Sequence, residues 1–269
     1  MIAGNDQYGT RRRTIEVLAD GEAVARRGAE LFARVARDAV KRRGTFIAAL
    51  SGGSTPQRLY ELLGRDPWLS TVPWGQVQLL WGDERCVPPD SPESNYRMAR
   101  EAFVARVPIL PQNIFRMRGE DDPAEAAVAY EMRLRELGGQ TGATLLGAPV
   151  IDLVLLGIGS NGHTASLFPH SAALRVEERL AVAMEVPDLG WRLTLTVPVI
   201  NAARHVVFVA TGDEKAAVLA RILQGPPGSD ELPAQLIAPR PGRLTWLLDE
   251  AAAVRLHGRG SSRGAGRSR

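Results

Sequence analysis

The stretch Val150-Ile151-Asp152-Leu153-Val154-Leu155-Leu156-Gly157-Ile158-Gly159-Ser160-Asn161-Gly162-His163-Thr164-Ala165-Ser166-Leu167-Phe168-Pro169 decides how the chain is read. Val150 to Gly157 reads as a strand whose apolar residues run nearly unbroken, as in a parallel strand covered on both faces. A glycine-rich turn ending in His163 follows it. Formally the turn contains G-x-G-x-x-G, and Glu185 lies near the spacing of a ribose-binding acid. A dinucleotide site, however, wants a long helix after the last glycine, and Pro169 comes only seven residues beyond Gly162. An imidazole at the mouth of a strand suits a general acid or base instead. Ser160 misses the hydrolase elbow G-x-S-x-G, because Ile158 stands where the first glycine belongs.

Outward from this stretch, β-like runs alternate with helical ones. Strands are expected at 14–19, Phe46–Leu50, Val77–Trp81, Ile114–Met117, 180–186, 192–197 and 205–211. Helices are expected at 21–42, Pro56–Leu63, Ser94–Arg106, 123–137 (closed by Gly138-Gly139), 213–223 and 249–254. Such alternation predicts an α/β fold with a mostly parallel sheet flanked by helices, and ligands beyond the carboxyl ends of its strands.

Composition narrows the function. The 269 residues are 45% hydrophobic and 23% charged, in the globular range, and no apolar run approaches the ~20 residues of a membrane span. One cysteine, Cys86, suits a reducing cytoplasm and makes no internal disulfide. The net charge of +3 comes from the ends: five arginines in 255–269 and three in 1–13. Without those segments the body is acidic, so a nucleic-acid-binding face is not expected. Both ends read as disordered, leaving one domain over 14–254. The four histidines and single cysteine have no metal-ligand spacing.

Three further segments carry unusual residues. Ser51-Gly52-Gly53-Ser54-Thr55-Pro56 joins a strand to a helix, with Ser54 or Thr55 as the cap; it reads either as an anion cradle or as a plain turn. Asp83, Glu84 and Arg85 follow the strand at 77–81. The two acids suit sugar hydroxyls, and the arginine a phosphate or carboxylate, unless the segment is a simple surface turn. Arg192 opens an alternating strand and Lys215 a helix, in a chain that uses two lysines against 31 arginines.

Taken in order, SGGSTP (51–56), GDERCVPPDSPESNYRM (82–98), GIGSNGHTASLFP (157–169), RLTLTVPVINAARHV (192–206), TGDEKAAVL (211–219) and PAQLIAPRPGRLTWLLDEAAA (233–253) closely resemble the 6-phosphogluconolactonase family. The resemblance spans about residues 15–253. It implies a Rossmann-like fold akin to glucosamine-6-phosphate deaminase and ribose-5-phosphate isomerase. It further implies hydrolysis of 6-phosphoglucono-1,5-lactone to 6-phosphogluconate, the second step of the oxidative pentose phosphate pathway. No metal or nucleotide cofactor, nucleic acid or membrane is implied; the partner is a small sugar-phosphate lactone, and the protein a monomer or homodimer. By the same resemblance His163 is the base that activates water. Ser51, Gly52, Gly53, Ser54, Thr55, Arg85, Arg192 and Lys215 hold the phosphate or neighbouring oxygens, and Asp83, with Glu84, lies beside the sugar. One departure stands out: where the family usually has aspartate before Gly-His, this chain has Asn161. An asparagine orients the imidazole but does not stabilise its charged form. The rival activities are a sugar-phosphate deaminase or isomerase and a non-catalytic sugar-phosphate sensor.

Overall fold

The computed structural model describes residues 2–3, 13–142, 144–226, 228, 230–240 and 242–256. Its thirteen strands among the described residues are β1 (Ile2–Ala3), β2 (Arg13–Leu18), β3 (Phe46–Leu50), β4 (Val77–Trp81), β5 (Asp83–Arg85), β6 (Ile114–Phe115), β7 (Thr144–Leu145), β8 (Ala148–Pro149), β9 (Leu153–Leu156), β10 (Ala181–Val186), β11 (Gly190–Leu195), β12 (His205–Ala210) and β13 (Arg243–Asp249). The α-helices are α1 (Gly21–Arg43), α2 (Ser54–Leu63), α3 (Trp68–Thr71), α4 (Asn95–Ala99), α5 (Pro123–Thr141), α6 (Val197–Asn201), α7 (Ala216–Gln224) and α8 (Glu250–Ala253). Among the described residues no helix is long and apolar enough to cross a membrane.

Eight strands form the central sheet in the order β1-β2-β13-β12-β9-β3-β4-β6. Every pairing from β2 to β6 is parallel, and β1 joins β2 antiparallel. Each residue of β3 and β9 is buried, which is why both read as unbroken apolar runs. The chain builds outward from β3 to β4 and β6, then returns to β9 on the other side of β3 and builds outward through β12 and β13. The order therefore reverses between β3 and β9, and a crevice opens above their carboxyl ends.

Several expectations are revised. Strands 180–186 and 192–197 form β10 and β11, a hairpin that pairs antiparallel with β5 outside the main sheet. Gly138-Gly139 does not close α5, which runs on to Thr141 and is capped by Gly142. Helix 94–106 is split into α4 and a π-helical turn, Arg100–Val104. Strand β13, unforeseen, lies between β2 and β12. The ends expected to be disordered, 1–13 and 255–269, lie outside the described residues except for Ile2–Ala3, Arg13, Arg255 and Leu256.

Two buried tyrosines fix the strand ends beneath the crevice. The Tyr60 hydroxyl accepts the Ser51 N–H and donates to the Ser51 carbonyl, both at 3.0 Å. Tyr130 does the same for Trp81 at the end of β4, again at 3.0 Å. Removing either hydroxyl strands a buried backbone donor and acceptor, at a cost of about 1–3 kcal/mol. Tyr60→Phe and Tyr130→Phe are each expected to lower unfolding free energy in urea by about that amount. A change under ~0.5 kcal/mol, the usual size of a surface substitution, would show that the hydroxyls do not hold these ends.

Candidate active site

Four loops meet at the carboxyl ends of the adjacent strands β4, β3, β9 and β12. After β3, Gly53 takes φ +102°, a conformation open to glycine and to few other residues. Gly53 is the residue before α2, and no side chain caps that helix, in contrast to the cap expected from Ser54 or Thr55. The first-turn N–H groups are thus left without a side-chain acceptor, while the Thr55 hydroxyl bonds the Thr211 hydroxyl at 2.9 Å. Ser51 is 3% exposed, and its Oγ has no hydrogen-bond partner.

After β9 the loop folds back on itself: the Gly159 N–H donates to the His163 carbonyl at 2.9 Å. A Cβ on Gly159 would lie 2.1 Å from the His163 ring, so only glycine lets the imidazole cross this loop. The ring stacks on Phe168, centroids 4.3 Å apart. The loop leads into a tight turn rather than a helix, with Leu167 N–H donating to the Thr164 carbonyl. Glu185 lies on β10 of the small antiparallel sheet. Neither feature suits a dinucleotide.

Asn161 settles the protonation of His163. Its Oδ1 accepts the His163 backbone N–H at 3.1 Å and lies 2.6 Å from the ring Nδ1. A backbone amide only donates, so the shared atom is an oxygen, and Nδ1 must carry a hydrogen to meet it. The lone pair therefore sits on Nε2. Burial, then the fields of Lys215, Arg85 and Arg192, push the imidazole pKa down to about 4. The side chain is a neutral base at physiological pH, with Nε2 as its accepting atom.

The cations come from three directions. Arg85 on β5 is paired directly with Arg192 on β11. Lys215 ends the 3-10 turn between β12 and α7. Among the described residues none of the three forms a salt bridge. Arg85 Nη1 donates to the Glu93 carbonyl and Arg192 Nη1 to that of Trp191. Like charges directly opposite on antiparallel strands repel. Desolvation and Arg85 together lower the Arg192 pKa. An anion between them would remove that repulsion.

The two acids part company. On a strand, alternate side chains face opposite ways. Asp83 shares a face with Arg85 and is paired with Thr194, next to Arg192 on β11. Its Oδ2 accepts the Ser166 hydroxyl at 2.8 Å, and burial raises its pKa. Glu84 points the other way, is 2% exposed, and accepts from Arg85 N, Asn95 N, Tyr96 N and Ser94 Oγ within 3.0 Å. It has no oxygen to spare for a sugar, contrary to the expectation from sequence; it fastens the loop that carries Arg85. Burial raises the Cys86 thiol pKa to about 11, so it remains an inert thiol. Ser160 is exposed and makes no hydrogen bond to an imidazole among the described residues. No group of three metal-ligating side chains gathers among those residues.

Reading the sequence missed the supports: Phe168 beneath the imidazole, Ser166 on Asp83, and Asn95, whose amide donates to the Asp83 carbonyl at 2.9 Å. All three lie inside the quoted motifs, which was the available signal.

Comparison with known proteins shows the family. The model for glucosamine-6-phosphate isomerases/6-phosphogluconolactonase matches residues 19–246. The chain belongs to that family. It is 42% identical over 248 residues to a 6-phosphogluconolactonase from Nostoc sp., covering 91% of this chain and 99% of the relative. The human 6-phosphogluconolactonase is 41% identical over 78% of this chain and 81% of its own. The solved 6-phosphogluconolactonase from Trypanosoma cruzi superposes with a TM-score of 0.82 at 31% identity, covering 93% of this chain and 99% of that one.

The site geometry generates a spectroscopic expectation for this family member. In 15N NMR, His163 should show the Nδ1–H tautomer and titrate at about 4. Asn161→Asp should raise that midpoint, because a carboxylate stabilises the imidazolium. Since the folded pKa lies below the ordinary 6.5, the unfolded chain binds the extra proton between them, and this group costs stability as pH falls through that window. A wild-type midpoint near 6.5, or the Nε2–H tautomer, would contradict the assignment.

Proposed function

We propose that the chain hydrolyses 6-phospho-D-glucono-1,5-lactone to 6-phospho-D-gluconate. One observation carries the reading: a neutral imidazole whose Nε2 has no partner among the described residues lies in the field of three cations that form no salt bridge there. A substrate with a phosphate at one end and an electrophilic carbonyl at the other answers both features. Membership of the family, with its 6-phosphogluconolactonases at about 42% identity, supports the same choice.

In the proposed reaction Arg85, Arg192, Lys215 and the N–H groups of the Ser51–Thr55 loop receive the phosphate and neighbouring oxygens. Holding the phosphate fixes the ring, so orientation is provided before chemistry begins. His163 Nε2 takes a proton from water as the water oxygen bonds to C1. The carbonyl π bond becomes an oxyanion, stabilised by nearby N–H donors or a guanidinium. Collapse breaks the bond from C1 to the ring oxygen, and the imidazolium returns its proton to that leaving oxygen. Asp83, held by Ser166, lies beside the sugar ring and orients its hydroxyls. A lactone is an activated ester, so a positioned base and water suffice without a covalent nucleophile. The deaminase and isomerase reading calls for an acid at 161 as the proton-transfer group, and Asn161 offers none.

The test uses freshly generated lactone, coupled to 6-phosphogluconate dehydrogenase and corrected for spontaneous hydrolysis. His163→Ala is expected to lower kcat by about 10²–10⁴-fold, the usual contribution of general base catalysis. Because kcat/KM reports the free enzyme, its acid limb should fall with a midpoint near 4, the value of the imidazole, instead of near 6.5. A wild-type rate no faster than the spontaneous one would end the proposal, and full activity in His163→Ala would move the base elsewhere.

A further inference from the structure

A second cavity, of about 390 Å³, lies at the amino ends of the parallel strands, away from the imidazole. Strand β3 alone separates the two ends by about 15 Å at ~3.3 Å per residue. Arg43, Gln78, Gln140, Asp152 and Arg204 line it. Asp152 is 2% exposed and accepts the Ile47 N–H at 3.0 Å and Arg43 Nη2 at 2.7 Å. Arg204 Nε stands 3.3 Å from its Oδ1.

This triad accounts for the buried carboxylate, but two things remain over. Two guanidinium groups face one carboxylate, so the cavity carries a surplus positive charge. Arg204 Nε is held in its ion pair with Asp152, but the buried Gln78 Oε1 has no hydrogen-bond partner among the described residues. Native proteins rarely leave such atoms unsatisfied, and each one asks for an explanation. The orphaned carbonyl oxygen needs a donor, and the guanidinium charge in excess over Asp152 has room for an anion. A ligand that answers both carries one negative charge and a hydroxyl. A phosphate dianion would overshoot the single surplus charge and repel Asp152. The volume is of the size that holds small ligands.

We propose that this cavity is a binding site for a small polyhydroxy carboxylate. Its carboxylate meets Arg43 and Arg204, and a hydroxyl donates to Gln78 Oε1. The site is separate from the candidate active site and does not depend on the reaction assigned there.

Isothermal titration of the full chain with D-gluconate tests it, with acetate, glucose and inorganic phosphate as companion probes. The Arg192→Ala background weakens the candidate active site and so isolates the second one. In that background gluconate should bind saturably, more tightly than acetate, glucose or phosphate. Gln78→Met removes the acceptor and should weaken gluconate at least tenfold; the isosteric Gln78→Glu should do likewise by repelling the carboxylate. Both variants should keep the wild-type circular dichroism spectrum, and replacing an unpaired buried acceptor by Met should leave Tm unchanged or raised. Absence of gluconate binding in the Arg192→Ala background, binding indifferent to both Gln78 variants, or tighter binding of phosphate would each overturn the proposal.

Discussion

The reversal of strand order between β3 and β9 is the constraint on which the rest of the molecule depends. Right-handed crossovers that run in opposite directions leave on opposite faces of a sheet, so the loops after β3 and β9 part above adjacent strand ends. Gly157 and Gly52 mark how close those ends are: a Cβ on the first would lie 3.8 Å from the carbonyl oxygen of the second. Everything distinctive in the chain is then aimed at this crevice. The Ser51–Thr55 loop comes from one side of the reversal and the imidazole loop from the other. The hairpin β10–β11 reaches over from outside the sheet to place Arg192 against Arg85.

That placement sets like charges against each other. Two arginines paired across antiparallel strands repel one another, and together with Lys215 they add to the burial that lowers the pKa of the neighbouring imidazole. Strain of this kind persists where the surroundings over-determine it. Here Glu84 does so, spending both oxygens on the backbone and on Ser94 to pin the segment between Asp83 and Tyr96. Burial first, and then the same cation fields, keep the base neutral. A bound phosphate would raise the imidazole pKa at the moment a proton has to be accepted.

How far the sequence speaks for the site follows from the range of the physics involved. Phe46–Leu50 is read with its observed bounds because complete burial writes an unbroken apolar run, and Val77–Trp81 is read likewise although the half-buried Gln78 interrupts it. The pairing that makes the site is non-local. Strand β13 pairs with β2, at the far end of the sequence, as well as with β12, and no local period announces that. The three charges Asp83-Glu84-Arg85 stand out as unusual, but only the register of β5 on β11 shows that the middle one turns inward to the protein. Likewise the Asn161 substitution is visible as a letter. Its consequence, a fixed tautomer, needs the 2.6 Å contact to Nδ1 and the backbone N–H on the same oxygen.

In the proposed reaction, cations that form no salt bridge among the described residues hold the phosphate while His163 Nε2 activates water at the far end of the same substrate. The most direct measurement is the ratio of kcat/KM for 6-phosphogluconolactone to that for unphosphorylated gluconolactone, in the wild type and in Arg192→Ala. Charge-assisted contacts to a phosphate contribute roughly 1.5–3 kcal/mol each, so several together predict a wild-type preference of at least about a hundredfold. Arg192→Ala should reduce that preference by about tenfold or more while sparing hydrolysis of the unphosphorylated lactone. Equal preference in the two proteins, or no preference in either, would contradict the claim.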